Sequence, residues 1–128
     1  MQALQNAIPQ EMARQLAAAL QGIENGDPAA VASALEMASL IEPESAELAN
    51  LQQRAQSLPE VLSKLEEAAA VEASGDLAGA EQVLQQATTL DPQHLRARAE
   101  LQRVSDAYLE QRFNDAMSDG YAALDAGK

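Results

Sequence analysis

The chain has 128 residues, with 20 acidic and 8 basic side chains, one His and neither Cys nor Trp, giving a formal charge of −12 at pH 7. That length supports one domain, and the missing cysteines exclude a disulfide framework, a thiolate metal site and a cysteine nucleophile. So much negative charge repels a phosphate backbone or an anionic bilayer, so nucleic acid and direct membrane contact are not expected and a neutral or basic partner is favoured.

In chain order, the first element is an amphipathic helix whose apolar positions are Met12, Leu16, Leu20 and Ile23. Gly26 closes it, because the left-handed conformation of a helix C-cap costs Gly little. Asp27 followed by Pro28 is an N-cap with Pro at the first helical position, which predicts a second helix from about Pro28 to Ile41, stopped by Pro43. Residues 44–74 are a long connecting stretch that carries Pro59, preceded by Ser57 and followed by Glu60. A break or kink is expected near Leu58. The stretch then presents Val61, Leu62, Leu65, Ala68, Ala69 and Val71 before Gly75. Asp76 caps a helix from about Leu77 to Leu90, which Pro92 ends. Residues 93–126 contain no Pro and predict one helix on the order of 50 Å long. On it, Arg96 with Glu100 and Arg103 with Asp106 have the spacing of surface ion pairs. Nothing alternates with period two, so the fold class is all-α.

The two halves also superimpose at a constant offset of 49 residues: Gly26-Asp27 on Gly75-Asp76, Leu35 on Leu84, Ala38 on Ala87, Ile41 on Leu90, Glu42 on Asp91 and Pro43 on Pro92. Leu, Ile, Val and Phe number only 26 against 28 Ala, close to a disordered composition. Repeated caps and phased Leu argue against disorder.

The order of Gly, a small residue five on (Val31 or Ala80), Leu four further, Ala three further and Pro five further resembles the second half of a tetratricopeptide repeat. The resemblance extends upstream to a small residue seven before the turn Gly, at Ala19, Ala68 and Gly120. It implies a tetratricopeptide-like helical-hairpin solenoid, with repeat one at 9–43, repeat two at 64–92 and the first helix of a partial repeat three at 113–128. Residues 44–63 and 93–112 are helical inserts, because the copies lie 49 residues apart against a family period of about 34. Each insert is expected as an N-terminal extension of the following helix or as an extra helix.

The family's geometry places a partner in a groove lined by the first helix of each repeat. Residue by residue, that groove would comprise Leu16, Leu20, Ile23, Leu62, Leu65, Ala69, Glu72, Asn114, Met117, Tyr121 and Leu124. It is apolar with an acidic fringe and suits an apolar or basic protein segment. The chain is therefore expected to be a protein-interaction module, with a structural or oligomerisation element as the alternative. Phe113, Ala116, Gly120 and Ala123 form a face that a following helix would cover. The chain is expected to be an excised piece of a longer repeat protein that forms a homodimer through this face. Catalysis is not expected. The lone His94 reads as an exposed first-turn residue, Asp115 and Asp119 as a solvated pair, and no spacing supplies a metal site, a phosphate loop or a triad, so no cofactor is implied. Lack of a leader or a long apolar run favours a cytoplasmic location for the segment as given and leaves a membrane-anchored or periplasmic parent open. The Ala- and Gln-rich helices point weakly to a bacterial source.

Overall fold

The computed structural model describes residues 2–126, with side chains described for residues 7–120 and for Leu124. Among these residues the fold is all-α: α1 (Gln2–Asn25), α2 (Pro28–Ile41), α3 (Ala46–Ala73), α4 (Leu77–Leu90) and α5 (Leu95–Ala126). Helices α2 and α4 have identical lengths at an offset of 49, and the offset carries through their caps. Asp27 accepts from Ala30 N at 3.2 Å and Asp76 from Gly79 N at 2.9 Å. Gly26 and Gly75 turn the chain at positive φ, 72° and 92°, where any other residue would be strained. The offset runs on past the prolines: Ser45 caps α3 by accepting from Leu48 N, and His94, 49 residues later, caps α5 by accepting from Ala97 N through its ring.

Each helix packs against its neighbour in the chain, and α1 also touches α3. Two apolar cores result. Met12, Ala19 and Ile23 of α1 meet Val31, Ala34, Leu35 and Ala38 of α2 and the first half of α3, at Leu48, Leu51 and Leu58. The second half of α3, through Val61, Leu65 and Ala68, meets Ala80, Leu84 and Ala87 of α4 and Ala97 and Val104 of α5. Half-buried Leu62 belongs to both cores.

Two sequence expectations change. Helix α3 is continuous through Pro59, with no break at Leu58. Proline removes one backbone donor and crowds the preceding turn, but Leu58 lies in the first core and Val61 in the second, so burial holds the helix on both sides of it. Residues 46–73 are thus one helix, with no separate helix before residue 64. The ion pairs on α5 also differ. Arg103 turns to Glu72 of α3 at 2.7 Å and to Glu100 at 2.6 Å, while Asp106 accepts from Gln102.

The crossing of each hairpin is filled by complementary sizes. In the first hairpin Gly22 faces Val31, whose Cγ2 would lie 2.8 Å from a Cβ at 22. In the second, Val71 stands in the place of Gly22 and Ala80 in that of Val31, and Val71 Cγ1 leans over Gly79 at 3.0 Å from where its Cβ would be. The valine has changed helices, and the close approach of the two backbones survives.

Candidate functional site

A groove of about 400 Å³ lies between α1 and α3. Leu16 and Leu20 come from α1 with Ala13 and Ala17, and Leu51 comes from α3. These residues share one side of their helices because they recur at helical spacing. Leu20 is 43% exposed, and Leu51 is buried and forms the floor. Glu47, Asn50, Arg54 and Gln93 complete the lining, and the Asn50 amide donates to Gln93 across the rim at 3.4 Å.

One end of the groove is fixed by a buried polar cluster. Arg54 is 8% exposed; its Nε donates to both carboxylate oxygens of Asp91 at 3.1 and 2.9 Å, and its Nη2 donates to Glu24 at 3.4 Å. Glu24, near the end of α1, also accepts from the backbone N–H groups of Leu95 (2.9 Å to Oε1) and Arg96 (3.3 Å) at the start of α5. Those donors have no partner inside their own helix, and the positive end of the α5 dipole favours a carboxylate there. His94 is fully buried, which corrects its reading as an exposed first-turn residue. Its Nδ1 accepts from Ala97 N at 3.2 Å, so Nε2 carries the proton and donates to Ile23 O at 2.9 Å. One ring nitrogen thus ties α5 to α1 and the other caps α5.

Of the groove residues expected from sequence, Leu16 and Leu20 lie together in this concavity. Leu65, Ala69 and Glu72 line a second cavity of about 160 Å³ with Arg96, Glu100 and Arg103. Two of the residues belong to the cores: Ile23 is fully buried in the first, and Leu65, 7% exposed, is part of the second. Leu62 is half buried between the cores. Asn114, Met117 and Leu124 lie far along α5, exposed and apart from the α1–α3 groove; the side chains of Tyr121 and Ala123 lie outside the described residues. Phe113, Ala116 and Gly120 are exposed, and so are Asp115 and Asp119.

Sequence reasoning missed Leu51, Asn50 and Arg54. The 49-residue offset held a signal for the last, since Arg54 aligns with Arg103 and each reaches an acid near the end of the helix two before its own, Glu24 or Glu72. A hydrogen bond from Arg103 first of all holds the Glu72 carboxyl below the usual carboxylate range, and the same bond raises the Arg103 guanidinium. Among the described residues no group of three His, Cys, Asp or Glu side chains could hold a metal ion, and no helix is long and apolar enough to cross a membrane. Compared with protein-family models, curated proteins and solved structures, the chain matches none.

Proposed function

We propose that the chain is a protein-interaction module that binds an apolar or basic segment of another protein in the α1–α3 groove, without chemistry of its own. The observation that carries this reading is the exposed Leu20 beside Leu16 over a floor of Leu51, in a concavity whose walls are fixed by the Arg54 cluster. An apolar surface held open on a rigid frame is worth more to a partner than to the chain itself. Glu47 at the rim and a net charge of −12 favour basic residues flanking the apolar ones in that partner. The twice-repeated hairpin, with small residues at its crossing and proline after its second helix, supports a tetratricopeptide-like solenoid. In that arrangement α1, α3 and α5 are the first helices of successive repeats, the later two lengthened at their N-terminal ends.

The test is affinity capture with the chain as bait, beside a Leu20→Glu variant checked for unchanged helicity and unfolding midpoint. Leu20 suits this use because it packs in neither core, whereas a charge at Leu65 would unfold the second hairpin. A protein held by the parent chain and released by Leu20→Glu, whose binding segment shifts the amide resonances of residues 13–20 and 47–54, supports the groove. Equal recovery by both baits refutes it.

A further inference from the structure

Beyond the groove, the C-terminal half of α5 carries a second surface. Every residue from Leu109 to Gly120 is exposed, including Leu109 at 65%, Phe113 at 64% and Met117 at 44%, and Leu124 follows at 68%. At 100° per residue Leu109, Phe113, Ala116, Met117, Gly120 and Leu124 fall within an arc of about 100°. The acids of the segment, Glu110, Asp115 and Asp119, lie outside that arc. A helix from a second copy therefore meets an uncharged stripe, despite the net charge of −12.

Gly120 is the telling residue. Glycine inside a helix costs stability relative to Ala, and among the described residues nothing beyond its own helix backbone comes within 4 Å of the place its Cβ would occupy. Ala116, Met117, Gly120 and Leu124 surround a hollow of about 230 Å³ there. In α3 the matching small residue, Ala68, is covered by α4, a helix joined by a tight turn and running back along it with Ala80, Leu84 and Ala87 inward. A copy of α5 supplies such a helix. Turned end for end about the middle of the stripe, between Ala116 and Met117, it sets Leu109 opposite Leu124, Phe113 opposite Gly120 and Ala116 opposite Met117. Large side chains meet small ones or the ends of the stripe, and no acid faces an acid.

We propose that the C-terminal half of α5 pairs antiparallel with the same segment of a second copy of this chain, Phe113 of one protomer seated over Gly120 of its partner.

Sedimentation equilibrium of the parent chain from micromolar to millimolar concentration should show a monomer–dimer equilibrium. Gly120→Leu raises helix propensity yet fills the seat of Phe113, so helicity holds or rises while dimerisation weakens about tenfold or more. The exchanged pair Phe113→Ala/Gly120→Phe should restore it. Register is read by disulfide formation, as the chain has no cysteine of its own. Ala116→Cys lies about one residue in height from its counterpart and should cross-link, whereas the two copies of Leu109→Cys stand about 22 Å apart along the helices and should not. Leu20→Glu, which disables the groove, should dimerise as the parent does, so the two readings fail separately. A monomer at every concentration would assign the stripe to some other occupant and overturn the proposal. Undiminished dimerisation of Gly120→Leu, or equal cross-linking at 109 and 116, would overturn it as well.

Discussion

The size exchange at the hairpin crossings can be tested by a double-mutant cycle at Gly22 and Val31. Alanine at 22 gains about 1 kcal/mol of helix propensity. Its methyl group, however, would lie 2.8 Å from Val31 Cγ2, 3.2 Å from Val31 N and 3.3 Å from Asp27 O. Two of those three atoms are backbone, next to the capped turn at Gly26-Asp27, so they cannot swing aside as a side chain can. Overpacking of this kind costs about 1–3 kcal/mol, which leaves Gly22→Ala destabilised by up to about 2 kcal/mol despite the propensity gain. Val31→Ala removes two methyl groups from a side chain that is 1% exposed and should cost about 1.5–3 kcal/mol. In the double variant the methyl at 22 enters space that valine has vacated, so the combined loss should fall short of the sum by about 1–2 kcal/mol. Urea unfolding of the four proteins, followed by far-ultraviolet circular dichroism, measures that coupling. Additivity within about 0.5 kcal/mol, or a Gly22→Ala chain more stable than its parent, would refute the crossing argument.

Two further outcomes follow from the polar contacts. The Glu72 carboxyl is held below its ordinary value of 4.5 by Arg103, so the contribution of that pair is fully present above this value and lost as pH falls through the lower folded value. Thermal unfolding of Glu72→Gln should therefore lie below that of the parent near neutral pH and converge with it in acid, and a constant difference across that range would contradict the assignment. His94→Ala removes the cap on Ala97 N and the donor to Ile23 O from a fully buried site, for a loss of about 2–4 kcal/mol. Hydrogen exchange should show the amides of residues 95–98 losing protection beyond the global change; uniform loss would mean that the ring only fills space.

How much of this was open to sequence reading depends on the range of the interactions. The limits of α2 and α4 follow from Asp27, Asp76 and the prolines at 43 and 92, because caps and breakers act within a turn. Pro59 is also a local signal, but here it is outweighed by contacts that Leu58 and Val61 make with α1, α2, α4 and α5, which no window around the proline contains. The cluster of Glu24, Arg54, Asp91 and His94, with the Ile23 carbonyl that His94 reaches, joins residues up to 71 apart in sequence. Hydrophobic periodicity also gives the arc of a helix but not which edge of it a neighbour covers. That is why periodicity alone puts Leu16 and Leu20 on one side together with Ile23 and Leu65, which the adjoining helices bury.

Arg54 is where stability and the groove meet. Its guanidinium joins α1 and α3 to the turn between α4 and α5, and it lines the groove as well. Arg54→Met leaves Asp91, 3% exposed, as a buried carboxylate without its cation, a loss of about 3–5 kcal/mol. Neutralising that carboxylate should recover much of the loss, since Asn at 91 can still accept from Gln93 N, as Asp91 does at 3.1 Å. Arg54→Met/Asp91→Asn should thus be more stable than Arg54→Met alone, although it lacks more of the native contacts. If urea unfolding instead finds the double variant at or below the single one, the cluster is held by its geometry and not by charge compensation. Should stability recover while the partner captured by the parent chain is bound more weakly, the buried charges serve to hold the end of the groove in shape. That would account for keeping an ion pair where apolar residues could have filled the same space.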